Sequence, residues 1–227
     1  MGVTTLLVAA DLGSPFVIAA TPPVPAAGRS SGAGASPAAR TSPAGSSAAA
    51  EVVGRLHETF VNVLRQAGSL GYKGRAERLA PALQQALDVE FMARTTLGRQ
   101  WDQLGPDDRA RWVRTFADFT IANYAGRLDH DAGQTFETLG EEAATNDTVL
   151  IRTRVLDPAG ETIDLAYRLR KNDGGWKIID VYVKGTVSEL ALRRAEYSSV
   201  LKRDGFDALL ALLQQRTAEL AAGKTAQ

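Results

Sequence analysis

The chain contains no cysteine. That excludes disulfides, a thiolate nucleophile, thiolate metal sites and a lipid-modified bacterial N-terminus, and it leaves the compartment open. Histidine is almost as scarce. His57 and His130 are the only two, far apart and outside any HExxH-like pattern, so each is expected to be an ordinary surface or helix-end residue. An excess of charge of one sign is also lacking: Lys plus Arg and Asp plus Glu number 26 each, so no whole-molecule field draws the chain to nucleic acid or to an anionic membrane. There is no GxxxxGK[ST] phosphate loop, no GxGxxG after a strand and no GxSxG elbow joining a strand to a helix. These absences point away from an enzyme and leave no cofactor, metal or nucleic acid to expect.

What is present is enough apolar residue, 44% of 227, for a real core. Its distribution is uneven. Residues 3–20, VTTLLVAADLGSPFVIAA, are apolar and end in small residues as an export signal does, but Asp11 and Pro15 interrupt the run and no Lys or Arg precedes Arg29. The run is too broken to span a membrane. Residues 21–50 turn to Pro, Ala, Gly and Ser, a linker composition that cannot repay the entropy of ordering. The expected organisation is a weak signal-like segment and disordered linker over 1–50, then one folded domain over 51–222.

Helical spacing dominates the first half of that domain. Val52, Val53, Leu56, Phe60, Val63 and Leu64 predict a helix over 49–66, ended by Gly68 and Gly71. A second helix runs from about Arg75 to Leu87, with Pro81 as a kink or new start, and Asp88 caps a third that carries Phe91, Met92 and Leu97. Pro106, Asp107 and Asp108 open a fourth, whose Trp112, Phe116, Phe119, Ile121 and Tyr124 form a wide aromatic band.

Period-two alternation then takes over in QTFETLG, TVLIRTRVL, TIDLAYRLR and WKIIDVYVK, joined by DPAG and NDGG turns. This predicts a twisted antiparallel meander of about four strands in an α+β fold. One face of the middle strands is dry, with Val149, Ile151, Val155, Ile163, Leu165, Tyr167 and Leu169; Arg152, Arg154, Asp164, Arg168 and Arg170 lie opposite. In the last strand Ile179, Val181 and Val183 share one face, and Trp176, Ile178, Asp180 and Tyr182 the other. Thr186 and Glu189 read as a capping box for a helix to about Arg203, Gly205 stops it, and Asp207 caps a final leucine-rich helix.

Asp180 is the best acid/base candidate, assisted by Tyr167 or Tyr182. Its favoured reading is structural, paired with an arginine such as Arg168 or Arg193 to fix strand to helix. Arg193, Arg194, Lys202 and Arg203 read as a solvated cationic helix face.

The run EFMARTTLGRQWDQLGPDDRARWVRTFADFTIANYAGRL, the strand GQTFETLG and the run LAYRLRKNDGGWKIIDVYVKGTVSELALRRAEYSSVLKRDGFDALLALL resemble, in that order, the MlaC or toluene-tolerance family of periplasmic lipid-binding proteins. The resemblance covers about residues 52–215 and rests most on YRLR at Tyr167 to Arg170, WKIIDV at Trp176 to Val181 and SVLKRDGFDALL at Ser199 to Leu210. It implies a periplasmic carrier that holds a lipid's acyl chains between sheet and helices, with the headgroup toward solvent. Its implied partners are an inner-membrane ABC transporter complex and an outer-membrane lipoprotein complex, with transient membrane proximity. The segment KGTVSELALRR from Lys184 to Arg194 resembles the hopanoid-associated branch, so the implied cargo is phospholipid or hopanoid.

The physical chemistry agrees. At about 0.8 kcal/mol per buried methylene, two acyl chains of roughly 30 methylenes represent on the order of 20 kcal/mol of gross transfer energy, which demands an enclosed apolar cavity. The expected lining is Val149, Ile151, Val155, Ile163, Leu165, Tyr167, Ile179 and Val181 from the sheet, with Leu97, Phe116, Phe119 and Tyr124 from helices. Two rivals are a cone-shaped α+β enzyme acting on a hydrophobic substrate through Asp180, and a scaffold subunit with a solid core.

Overall fold

The two periodicities of the sequence become two layers in the computed structural model, which describes residues 47–158 and 160–223. The signal-like run and nearly all of the linker lie outside the described residues, as does Ala159 of the DPAG turn. Helices α1 (Ala48–Arg65), α2 (Ala67–Ala86), α3 (Val89–Leu97), the single turn α4 (Gln100–Gln103) and α5 (Pro106–Arg127) come first. The meander follows as β1 (Thr135–Ala144), β2 (Thr148–Leu156), β3 (Thr162–Asn172), β4 (Gly175–Val183) and β5 (Val187–Ser188), and α6 (Glu189–Asp204) and α7 (Phe206–Ala221) close the chain.

Each helix starts and stops for a local reason. The Ser47 side chain accepts from Ala50 N at 3.0 Å to open α1, which buries Val53, Leu56, Phe60, Val63 and Leu64 along one stripe. Gly68 and Gly71 do not end it. The chain turns at Gln66 and re-enters helix at Ala67, and Gly71, at φ 58° and ψ −179°, instead kinks α2; that backbone conformation is open to glycine and strained for other residues. Pro81 lies within α2 without breaking it. Asp88 caps α3 as expected, accepting from Phe91 N at 3.1 Å, and it also takes an ion pair from Arg170 at 2.7 Å. Pro106 occupies the first turn of α5 with Asp107 and Asp108 beside it.

The sheet is antiparallel in the order β1-β2-β3-β4-β5, one strand more than expected. The extra strand is the pair Val187–Ser188, which folds back on Tyr182 and Val183. Because Val187 and Ser188 are strand, the Thr186 capping box does not form. Ser188 is the cap of α6, accepting from Ala191 N at 3.0 Å. Asp207 is likewise not a cap: Gly205 holds that position, and Asp207 pairs with Arg111 at 3.0 Å.

Register explains the two faces. Val149, Leu169 and Ile178 form one row across β2, β3 and β4; Ile151, Tyr167 and Val181 form the next; Thr153, Leu165 and Val183 form a third. These rows face the helices and join the core with the α1 stripe, Phe116 of α5 and Leu209 and Leu213 of α7. The opposite face carries the ion pairs Arg152–Glu142 and Arg154–Asp164, both 2.6 Å.

A bulge between Arg168 and Leu169 corrects the reading of the last strand. Two residues of β4 oppose one step of β3, so the alternation slips at Ile179 and Ile178 shares the face of Val181 and Val183. Ile178 is in the central core; Ile179 is buried outside that cluster.

Candidate functional site

One apolar cleft opens where β4 meets the helical layer. Its wall is Leu87, Met92 of α3, Phe116, Thr120, Asn123, Tyr124 and Arg127 of α5, Val181 of β4, and Glu189, Leu190 and Arg193 of α6. Positions 116, 120, 123, 124 and 127 fall along one stripe of α5, and 189, 190 and 193 occupy the first turns of α6. The cleft holds about 630 Å³ free of protein atoms, part of it open to solvent. It is narrow, with little of that space wide enough for a water molecule to move freely.

A second groove, between α1 and β1, is wider at about 870 Å³ and more open. Glu58, Asn62, Arg65, Thr135 and Thr138 rim it, with Phe136 and His57 stacked at 4.2 Å between ring centroids. Apolar surface gains most from shelter, so the narrow cleft is the better ligand site despite its smaller free space.

Three of the twelve residues expected to line a cavity, Phe116, Tyr124 and Val181, meet in this cleft. Phe119 sits beside it, its ring centroid 5.6 Å from the Arg193 guanidinium carbon. Leu97, Ile151, Val155, Leu165 and Tyr167 are packed in the core, Val149 and Ile163 are half-buried against it, and Ile179 is buried at the bulge.

The polar groups were harder to read. Thr120, Asn123 and Arg127 continue the Phe116–Tyr124 stripe at helical spacing, a signal present in the sequence but hidden behind the aromatic band. Arg193 is not simply part of a solvated face. Its guanidinium carbon lies 5.9 Å from the Phe116 ring centre, and the group is buried beside the Tyr197 hydroxyl and the Glu189 carboxylate. Burial opposes its charge, but Tyr197, Glu189 and Tyr124 nearby more than offset this and raise its pKa. Burial pushes the Tyr124 hydroxyl pKa up, with Arg193 partly countering it.

Asp180 has a different set of partners from the expected arginine or tyrosine. Its Oδ1 accepts from Val181 N at 2.8 Å and Leu190 N at 3.2 Å, and its Oδ2 accepts from Ser188 Oγ at 2.6 Å. The carboxylate fastens β4 to the start of α6. Arg168, its cross-strand neighbour, turns to Thr148 Oγ1 at 2.9 Å and Thr145 O at 2.9 Å. His57 is also not a surface residue. It is 5% exposed, with Nε2 2.9 Å from Tyr167 Oη. His130 is exposed beside Asp129 at 2.7 Å. No cluster of three or more His, Asp or Glu suited to a metal occurs among the described residues, and none of their helices is long and apolar enough to cross a membrane.

An open antiparallel sheet roofed by helices, with a sheltered apolar cleft and a few convergent polar groups at its rim, is the architecture of a ligand-binding domain. The family model described as MlaC protein matches residues 55–215. The chain belongs to the MlaC family, as its motifs implied.

It is 25% identical over 137 residues to the intermembrane phospholipid transport system binding protein MlaC of Haemophilus influenzae. That match spans 59% of this chain and 64% of the relative's length. The fold is similar to the solved structure of the phospholipid-binding protein from Ralstonia solanacearum in complex with a phospholipid: TM-score 0.65, 24% identity, 77% of this chain and 97% of that one covered.

Proposed function

We propose that the protein is a periplasmic carrier that encloses the apolar part of a phospholipid and shuttles it between the outer and inner membranes without a chemical step. The observation that carries this reading is the sheltered cleft walled by Met92, Phe116, Val181 and Leu190 in a chain of the MlaC family. The name of the Haemophilus relative and the phospholipid bound to the Ralstonia protein support it. Its docking partners are an inner-membrane ABC transporter complex and an outer-membrane lipoprotein complex, which fits the transfer energetics: a lipid sheltered from water leaves only when a partner opens its container.

The narrowness of the cleft sets the loading step. Two acyl chains need more room than the cleft offers, so its walls part on loading and the packed sheet residues Ile151, Val155, Leu165 and Tyr167 become lining. Native mass spectrometry of protein purified from its own envelope, followed by extraction, is the test. A retained phospholipid is expected. A hopanoid in its place would replace the cargo while keeping the carrier, and an empty protein that refuses both would remove the carrier reading.

A further inference from the structure

One edge of the sheet stands open. β1 bonds to β2 alone, so the outward backbone N–H and C=O groups of this ten-residue strand have no sheet partner among the described residues. The opposite edge is closed: β5 pairs with Tyr182 and Val183, and Asp88 N donates to Ile178 O at 2.9 Å. An unpaired strand edge is a template for another chain. On the helix side of β1 runs the groove of about 870 Å³, walled by Gly54, Glu58, Val61 and Arg65 of α1 and by Phe136 and Thr138 of β1. Gly54 lies in the interior of α1, where glycine weakens a helix relative to alanine. Nothing in the fold asks for it, since a Cβ there would meet no neighbour within 4 Å. A glycine that weakens its helix yet relieves no contact leaves room for something outside the fold. Leu139, skipped by the β1–β2 register at a bulge, stands 44% exposed on the same strand.

We infer that β1 is a docking edge for an extended segment of a partner protein, one in which lysine or arginine alternates with apolar residues. This adds a protein-binding surface to the carrier reading and does not depend on what the cleft holds. A strand added to β1 continues its hydrogen-bond ladder and sends alternate side chains to opposite faces. Those on the helix side enter the groove beside Phe136 and Val61. Those on the outer face meet Glu137 and Glu142, on a strand with three glutamates and no Lys or Arg. Glu142 pairs with Arg152 at 2.6 Å. Glu137 is exposed and has no ion pair among the described residues, while Arg154 across from it pairs with Asp164. Opposite charges across a strand pair stabilise it and like charges do the reverse. A second copy of this chain is therefore the wrong occupant, because β1 against β1 brings acidic side chains together.

The test is binding of three end-blocked, dye-labelled peptides as long as β1 to the full-length protein, followed by fluorescence anisotropy and by hydrogen exchange of the backbone amides. The first alternates Lys and Val, the second alternates Glu and Val, and the third has the composition of the first in two blocks. The alternating Lys–Val peptide should bind one per protein, roughly tenfold or more tighter than either of the others, and slow exchange over residues 135–144 while leaving β4 unchanged. Glu137→Lys should weaken it several-fold and strengthen the Glu–Val peptide. Gly54→Leu puts a side chain into the groove without straining the helix, so it should weaken the Lys–Val peptide by about tenfold while bound lipid and cooperative unfolding are kept.

Equal affinity for the three peptides, or none for any, overturns the docking edge and leaves the carrier intact; the glutamates then only guard an idle edge. That comparison needs no variant to fold. Amides of β1 already protected in the free protein at every concentration, with no peptide taken up, would assign the edge to residues 1–46 of the chain itself, which lead into Ser47 at its bond to Glu141. Protection that appears only as a dimer forms would assign it to a second copy. Loss of bound lipid in Gly54→Leu would make the groove a lipid site. Each of these three results overturns the inference.

Discussion

His57 Nε2 and Tyr167 Oη lie 2.9 Å apart in the core, joining α1 to the central strand β3 across the layer interface. The imidazole is wedged between Phe136, stacked at 4.2 Å, and the Tyr167 ring, edge-on at 5.2 Å. Burial drives its pKa down from 6.5 to about 4, so the folded protein holds it neutral. The Tyr167 hydroxyl is pushed the other way by the same burial, well above its usual value.

A stability cost on acidification follows. Between pH 6.5 and 4 the unfolded chain binds a proton at His57 that the folded chain refuses, so the penalty begins below the unfolded value and is complete once pH falls through the folded one. The full effect is on the order of 3 kcal/mol. Denaturant unfolding of wild type and His57→Gln at pH 7 and pH 4 isolates it, since the carboxylates titrate in both. The wild type should lose about that much more than the variant; parallel losses would mean the imidazole is not held neutral.

Asp180→Asn separates fastening from chemistry. The amide keeps one acceptor oxygen but loses the charge that strengthens the contacts from Val181 N, Leu190 N and Ser188 Oγ. A loss of about 1–2 kcal/mol in unfolding free energy is expected, with bound lipid retained. A stable variant that loses its ligand, or that loses a turnover seen in the wild type, would restore a direct role for this carboxylate.

What could be read in the sequence was what depends on neighbours along the chain. The strands announced themselves by alternation between NDGG and DPAG turns, and Asp88 and Pro106 mark helix starts by chemistry that acts within one turn. What escaped depends on pairing. The bulge at Ile179 exists only against β3, so counting by twos put Ile178 on the wrong face. The T-x-x-E pattern at Thr186 was sound locally, but β5 takes up Val187 and Ser188 and leaves Glu189 as the first residue of α6, in the cleft wall rather than in a cap. His57 and Arg193 look like surface residues until the elements around them close. Their burial belongs to the tertiary structure alone.

Thr153 offers a case where removing a polar group should help. It occupies the inner row with Leu165 and Val183, is fully buried, and its Oγ1 has no hydrogen-bond partner among the described residues. Thr153→Val keeps the branched shape and removes the unmatched hydroxyl, so a gain of about 1 kcal/mol is expected by thermal or denaturant unfolding. A loss instead would show that the hydroxyl finds an acceptor in solution.

Val181→Trp addresses the cleft itself. Val181 is in register with Tyr167 on β3 and faces Phe116 and Tyr124 across the narrow space, where an indole fills volume that the acyl chains need. The strand backbone and its ladder do not depend on this side chain, and overpacking typically costs about 1–3 kcal/mol, a few degrees per kcal/mol in a domain of this size. Lipid retained per protein after purification should fall several-fold while cooperative unfolding persists. The same substitution at Ile163, half-buried against the core and away from the cleft, is the control: it carries a comparable packing burden and should leave the bound lipid in place. If both variants keep their lipid, the ligand does not enter between β4 and α5, and the groove between α1 and β1 becomes the site to test next.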